Sequence, residues 1–199
     1  MEQHIRIKKM VAERQRLATR GLYLPQSETS NCGLGFVASI DATPRRDIVL
    51  KGIEALKSLW HRGAVDADGK TGDGAGIHIQ IPQDFFHDYI VKSGASVHKT
   101  QLGVGQIFFS RTDLSNQDRT RQIIESEILN FGYLLKGWRQ VPVNTDVLGA
   151  KANATRPEIE QILIANNLDH PGKQFETNLY IIRRKIEKKL RESGCGCQV

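Results

Sequence analysis

Residues 28–41, ETSNCGLGFVASID, place a lone cysteine at the boundary between a polar, turn-prone stretch and an apolar one. Cys32 has no second cysteine nearby for a disulfide, and no histidine or carboxylate at metal-ligand spacing. The glycines on either side of Leu34 leave room for a small molecule against the backbone. The small and apolar residues that follow predict a buried strand beginning at Cys32.

The position of Cys32 also suggests chemistry that requires a cut in the chain. If the bond after Asn31 is cleaved, residues 1–31 leave as a propeptide and Cys32 gains a free α-amine. Such an amine has a pKa near 7.7–8.0, so it can serve as the base for a thiol whose pKa is near 8.5. We therefore expect Cys32 to be an N-terminal nucleophile. The alternative is a small buried hydrophobic residue, the commonest fate of a free cysteine.

Composition is that of an ordinary globular domain. The chain has 199 residues, 39% hydrophobic and 25% charged, enough for one domain with its own core. The net charge of +6 is concentrated in the first 31 residues and near the C-terminus rather than in a basic stripe with aromatics, so we expect no nucleic-acid partner. No apolar run is long enough for a membrane helix, and three cysteines favour a reducing, cytoplasmic compartment.

Periodicity predicts a mixture of helices and strands of the α/β or α+β class. Thr43 is a candidate N-cap, with Pro44 following, for a helix that ends near Gly63 and packs on the first strand. The other predicted elements are strands in GIHIQIP and VGQIFFS, a helix from Ser115 or Asn116 to Gly132, an extended YLLKGWRQVPV, a helix or strand in EIEQILIA, and a helix at 179–190.

The loop HRGAVDADGKTGDGAG resembles two known ligand-binding motifs without matching either. A phosphate-binding loop needs a glycine at position 64, which is alanine, and a calcium loop needs an acidic or amide ligand where Lys70 stands. We therefore expect a tight connection whose glycines take positive φ and whose aspartates bind backbone N–H groups. The final CGCQV is expected to belong to a flexible tail, residues 193–199.

Several stretches, taken in order, resemble one family. GLYLPQSETSNCGLGF, at residues 21–36, is similar to the start of the class II glutamine amidotransferase domain in the large subunit of glutamate synthase. LKSLWHRGAVDADGKTGDGAGIHIQIPQDFF, at residues 56–86, resembles the family's next segment almost position by position. GWRQVPVNTDVLG, the Pro157–Ile164 stretch and LYIIRRKIE are also similar to family elements.

This resemblance implies a fold and an activity. The fold is an N-terminal-nucleophile α+β fold, a four-layer αββα sandwich, with the amidotransferase domain at residues 32–192. The activity is hydrolysis of L-glutamine by Cys32, with Arg62 and Gly63 of H-R-G as supporting or substrate-binding residues. In the whole enzyme the ammonia aminates 2-oxoglutarate in other domains or subunits that carry flavin mononucleotide and an iron–sulfur cluster. No cofactor or metal is expected in this chain.

Two family motifs are missing from the sequence. The R-F-S-T-N glutamine-binding stretch and the Asn-Gly pair of the oxyanion hole occur nowhere in the 199 residues. An oxyanion-hole donor contributes about 10²–10³ in rate. We therefore expect a domain truncated on its C-terminal side. The alternative function is a non-catalytic fragment that needs a partner chain to supply those residues.

Overall fold

The structure is a computed structural model that describes residues 9, 12, 13, 15, 16, 33–60, 63–95, 100–167 and 170–195. From residue 33 onward its elements are α1 (Arg46–Ser58), α2 (Gln83–Lys92), β1 (Leu102–Phe109), α3 (Leu114–Asn130), β2 (Leu134–Gln140), α4 (Ala150–Thr155), β3 (Glu158–Ala165) and α5 (Gly172–Glu192). Helices combined with an antiparallel sheet make the chain α+β. None of the helices in the described part of the chain is both long and apolar enough to cross a membrane.

The strands form one three-stranded sheet in the order β1–β3–β2. β3 is central and runs antiparallel to both neighbours, with Gln161 opposite Gln106 on one side and Arg139 on the other. A bulge interrupts β2 at Gly137, whose φ of 118° favours glycine. The strands predicted in VGQIFFS and YLLKGWRQVPV are confirmed, and EIEQILIA, left open between helix and strand, is a strand.

Side chains on the two faces of the sheet enter different cores. Helices α3 and α5 cover one face, and the core there contains Ile107, Phe109, Ile124, Ile128, Tyr133, Ile162, Ile164, Phe175, Ile182, Ile186, Leu190 and Cys195. Because neighbouring strand residues point to opposite faces, Leu163 and Ala165 lie on the other face, where they pack with Phe86 and Ile90 of α2. With both faces buried, the second half of β3, Ile162–Ala165, is a continuous apolar run, which explains why its period alone was ambiguous.

Three helices end in the same turn. Glycines with φ of 84°, 81° and 71° follow α2, α3 and α5 at Gly94, Gly132 and Gly194. The N–H after each glycine donates to a carbonyl in the last turn: Ala95 to Ile90 at 3.3 Å, Tyr133 to Ile128 at 3.3 Å and Cys195 to Leu190 at 3.0 Å. This is the Schellman motif, in which the residue after glycine also contacts the helix end. Gly132 was correctly predicted to close its helix, and Cys195 is buried through this turn.

The sheet face that α3 and α5 cover also contains an ion pair. Arg121 of α3 donates from Nε and Nη2 to the two carboxylate oxygens of Glu160 on β3, at 3.1 and 2.6 Å. Its guanidinium carbon lies 4.8 Å from the centre of the Phe109 ring. The planar group is therefore fixed by two bonds on one edge and by an aromatic face.

The described chain divides into two units, which are considered separately. One comprises the described residues up to Ala64 together with Asp73–Ile77, and the other comprises Val65–Gly72 and the described residues from His78 onward. The sheet and helices α2 to α5 belong to the second unit, and α1 belongs to the first.

Two predicted strands are wrong. Residues 33–39 and 77–81 contain no strand, and the side chains of Leu34 and Phe36 are 97% and 94% exposed. Neither segment has a neighbouring strand among the described residues, and a strand needs a partner for its backbone N–H and C=O groups. Helix α1 has no buried residue, so its predicted packing on a first strand is also wrong.

Several helix ends differ from the predictions. The N-cap of α1 is Arg45 rather than Thr43, whose N–H donates to Asp41 Oδ1 at 3.2 Å, and the helix ends at Ser58 rather than near Gly63. The N-cap of α3 is Asp113, which accepts from the Asn116 N–H. Helices α2 and α4 were not predicted, and α5 begins at Gly172 instead of Leu179.

Candidate functional site

The residues predicted to carry the chemistry are only partly described. Cys32 and Arg62 lie outside the described residues, as does the boundary of the predicted propeptide. Gly63 is described and exposed. The catalytic role of Cys32 and the supporting roles of Arg62 and Gly63 therefore stay predictions, and the neighbouring residues supply the geometry.

The residue after Cys32 lies close to the end of α1. A Cβ atom placed on Gly33 would be 3.2 Å from Cδ1 of Leu59, closer than side chains normally pack. Leu59 precedes the H-R-G motif, which begins at His61, by two positions in the sequence. The structure thus brings together the described neighbours of Cys32 and Arg62, which the sequence placed about thirty residues apart.

The chain after Arg62 is held by two hydrogen bonds. The Gly63 N–H donates to the carbonyl of Trp60 at 3.2 Å, which closes a tight turn after α1. The Ala64 N–H donates to Asp73 Oδ2 at 2.9 Å. Asp73 therefore anchors the backbone at Ala64, the residue after the H-R-G motif, a role that the sequence did not indicate because Ala64 and Asp73 are nine positions apart.

The loop between Ala64 and Asp73 forms the tight connection that was predicted. Asp68 accepts from the hydroxyl of Thr71 at 2.6 Å and from the N–H groups of Thr71 and Lys70 at 2.7 and 3.0 Å. These bonds, with that from the Thr71 hydroxyl the largest, lower the pKa of Asp68 to about 2. Gly69, with φ of 69°, takes the left-handed conformation that the turn needs. The expectation of positive-φ glycines and backbone-binding aspartates is confirmed here.

The geometry of this loop does not suit a bound ion. The Asp68 carboxylate is already occupied by donors from the protein itself. Among the described residues, no group of three or more histidine, cysteine, aspartate or glutamate side chains is placed to hold a metal. The calcium and phosphate interpretations, which the spacing argued against, gain no support from the geometry.

Sequence reasoning missed one contact partner of the loop. Gly149, at the start of α4, lies so close that a Cβ there would overlap Thr71 Oγ1 and Asp68 Oδ2. The stretch GWRQVPVNTDVLG, which ends at Gly149, was noted only for its resemblance. Its glycine was the one available signal, since glycine is the residue that allows such close approach.

Comparison with known proteins gives the chain its family. The family model of class-II glutamine amidotransferases matches residues 32–197. The large chain of NADPH glutamate synthase from Azospirillum brasilense is 57% identical over 175 residues, which cover 88% of this chain and 12% of that protein. The corresponding large chain from Bacillus subtilis is 37% identical over 172 residues, covering 84% of this chain and 11% of that protein.

A plant relative is similar at a lower level. Ferredoxin-dependent glutamate synthase 1 from Arabidopsis thaliana is 34% identical over 174 residues, which cover 87% of this chain and 11% of that protein. This chain therefore spans about 12% or less of the length of these relatives. Because the family model matches most of its residues, the chain belongs to the class-II glutamine amidotransferases.

Proposed function

We propose that this chain is a glutaminase of the glutamate synthase type, which releases ammonia from L-glutamine with Cys32 as its N-terminal nucleophile. The observation that carries the proposal is the match to the class-II amidotransferase model, which begins at Cys32 itself. The contact of Gly33 with Leu59 supports it, because this contact joins the segments that lead to the proposed nucleophile and to Arg62.

The proposed reaction has two steps at Cys32. With the thiol proton accepted by the α-amine, the sulfur attacks the side-chain amide carbon of glutamine, and the proton passes to the departing ammonia. A water molecule then attacks the thioester and releases glutamate. The free α-amine is essential, since a backbone amide nitrogen has no usable lone pair. The uncleaved chain should therefore be inactive, and removal of residues 1–31 is part of the proposal.

Arg62 and Gly63 are proposed as supporting residues around the nucleophile. The bonds from Gly63 to Trp60 and from Ala64 to Asp73 support this role, because they fix the backbone on the C-terminal side of Arg62. A reaction that depends on the orientation of bound glutamine needs such a fixed backbone.

The ammonia is proposed to serve glutamate synthesis from 2-oxoglutarate in the remaining domains or subunits of a larger enzyme. The support is the identity with large chains of glutamate synthases. Flavin mononucleotide and an iron–sulfur cluster would belong to those other parts. The described residues of this chain do not fit a cluster, which is held by several cysteines, because their free cysteine, Cys195, is buried in the core.

Two further parts of the proposal concern fold and location. We propose that the sheet β1–β3–β2, with α3 and α5 on one face, is one half of a four-layer αββα sandwich. The described residues contain no second sheet, so this arrangement stays a prediction. We also propose a cytoplasmic location, where a catalytic thiol remains reduced.

The test combines mass measurement with an electrophilic glutamine analogue. Active chain should lack residues 1–31 and gain one adduct, on Cys32. The Cys32→Ala variant should gain none, whereas Cys197→Ala, the matched control, should label normally. Ammonia release from glutamine should follow the same pattern. A chain that keeps residues 1–31 and is active would overturn the N-terminal nucleophile. The comparisons do not favour the alternative of a non-catalytic fragment, which predicts a processed chain that gains no adduct.

A further inference from the structure

The loop Val65–Gly72 is tied at its base and at its tip. Val65 and Gly72 form an isolated antiparallel bridge, and the Asp66 N–H donates to the Thr71 carbonyl at 2.7 Å. The Asp68 carboxylate accepts hydrogen bonds from the hydroxyl and N–H of Thr71 and from the N–H of Lys70. The eight residues therefore form a closed unit, although glycine-rich segments lose much entropy on ordering.

The same carboxylate and hydroxyl attach the loop to the start of α4. The Ala152 N–H of α4 donates to Thr71 Oγ1 at 3.5 Å, and the Asp68 carboxylate lies against Gly149, the residue before the helix. Lys151 pairs with Asp66 at 2.6 Å, but this contact is exposed and contributes little. Asp68 and Thr71 are thus shared between the loop and the helix.

Gly149 shows that this attachment depends on close approach. Any side chain at position 149 would overlap Thr71 Oγ1 and Asp68 Oδ2. The two segments brought together, DADGKTG and the end of GWRQVPVNTDVLG, are far apart in the sequence. We call this arrangement of Asp68, Thr71 and Gly149 the loop latch.

We propose that Asp68 is a positioning residue for glutamine hydrolysis. Through the loop latch it holds the loop that follows Gly63 and Ala64 in the chain, so that the backbone of these two residues keeps one path on the C-terminal side of the H-R-G motif. The inference rests on the proposed function and adds to it a residue that the resemblance left without a role. Asp68 itself touches no substrate and acts through the chain that precedes it.

The latch explains why two loop residues are an aspartate and a threonine. A carboxylate can accept several N–H and O–H donors at once, and the threonine hydroxyl can donate to Asp68 while accepting from α4. Serine keeps this hydroxyl, whereas valine keeps the shape and loses both bonds. Thr71→Ser and Thr71→Val therefore form a matched pair that separates hydrogen bonding from packing.

The experiment measures glutamine turnover and backbone amide exchange in the full chain. Asp68→Ala and Thr71→Val should lose up to about 10²-fold in kcat/KM for glutamine, the size of effect expected for a misplaced catalytic segment. Thr71→Ser should stay close to the unaltered chain. Asp88 is an exposed carboxylate on α2. Asp88→Ala is the control and should leave kcat and KM for glutamine unchanged. The Gly63 and Ala64 amides should exchange faster in Asp68→Ala and Thr71→Val only.

The outcomes distinguish this inference from the proposed function. If the unaltered chain releases no ammonia, the proposed function has failed, and the exchange of the Gly63 and Ala64 amides alone decides the inference. The inference is overturned if these amides exchange at the same rate in Asp68→Ala and Asp88→Ala. It is also overturned if the unaltered chain is active and Asp68→Ala matches Asp88→Ala in kcat/KM, or if serine at position 71 is no better than valine.

Discussion

Replacing Arg121 by methionine should destabilise the chain more than replacing its partner Glu160 by glutamine. The Glu160 side chain is 10% exposed and that of Arg121 is 25% exposed. Arg121 also bonds Asp118, which is largely in solvent, at 2.9 Å. The bond to Glu160 raises the pKa of Arg121, so the guanidinium stays charged and each substitution leaves a different partner behind.

The expected loss in the free energy of unfolding depends on which group each substitution leaves buried without its partner. Arg121→Met keeps an apolar stem beside Phe109 but leaves the Glu160 carboxylate buried without its cation, which costs about 3 kcal/mol, the low end for breaking a buried pair. In Glu160→Gln the amide oxygen still accepts one bond, and Arg121 keeps Asp118 and solvent. The cost should then be about 1–2 kcal/mol. The double variant should be more stable than the sum of the two predicts, by about 1 kcal/mol or more.

Urea unfolding followed by circular dichroism measures these differences. Arg119→Met, an exposed arginine on the same helix, is the matched control and should change the free energy of unfolding by less than about 0.5 kcal/mol. If Glu160→Gln costs as much as Arg121→Met, or if the two losses add without coupling, the pair does not stabilise the sheet face in the way described.

Three further variants and conditions test other parts of the structure. Gly132→Ala should cost about 1–2 kcal/mol in urea unfolding, because φ at this helix end is 81°, and an unchanged midpoint would contradict the Schellman assignment. Gly103→Ala would place a Cβ 2.6 Å from Leu179 Cδ1, so a loss of about 1–3 kcal/mol is expected from overpacking; no loss would mean that α5 can shift on the sheet. The latch carboxylate, Asp68, has its pKa lowered to about 2, below its value in the unfolded chain. The ionised carboxylate therefore stabilises the folded loop above about pH 4, and this stabilisation is lost as pH falls toward 2. Amide protection in residues 66–72 should drop over that range in the unaltered chain and be low throughout in Asp68→Ala.

Strand prediction succeeded where a segment has partner strands and failed where the described residues provide none. Ile107 and Phe109 of VGQIFFS are buried under helices, whereas Leu34 and Phe36 of GLGFV, a segment of similar composition, are exposed. A single segment cannot reveal whether a neighbour exists for its backbone, since pairing is a property of two segments. EIEQILIA was ambiguous for a related reason, because burial on both faces removes the alternation that identifies a strand.

In the candidate site, too, contacts between residues close in sequence could be predicted and contacts between distant residues could not. The tight turn around Asp68 could be predicted, because its donors at Lys70 and Thr71 are close in sequence. The attachment to Gly149 could not, since the bond between Thr71 and Ala152 spans 81 positions. The role of Arg62 came only from resemblance to a family, whereas the role of Cys32 was also suggested by its position after residues 1–31 and by the glycines that follow it.

The order of strands in the sheet has a consequence for synthesis on the ribosome. The middle strand, β3, is the last of the three to be synthesised. The backbone groups of β1 and β2 that pair with it therefore stay unpaired until β3 has been made. The outer strand made first, β1, stays unpaired longest, since its partners in β3 lie about fifty to sixty residues ahead. Two open edges of this kind are where nascent chains associate wrongly. Translation pauses placed just before residue 158 should therefore lower soluble yield, and pauses placed after residue 192 should not.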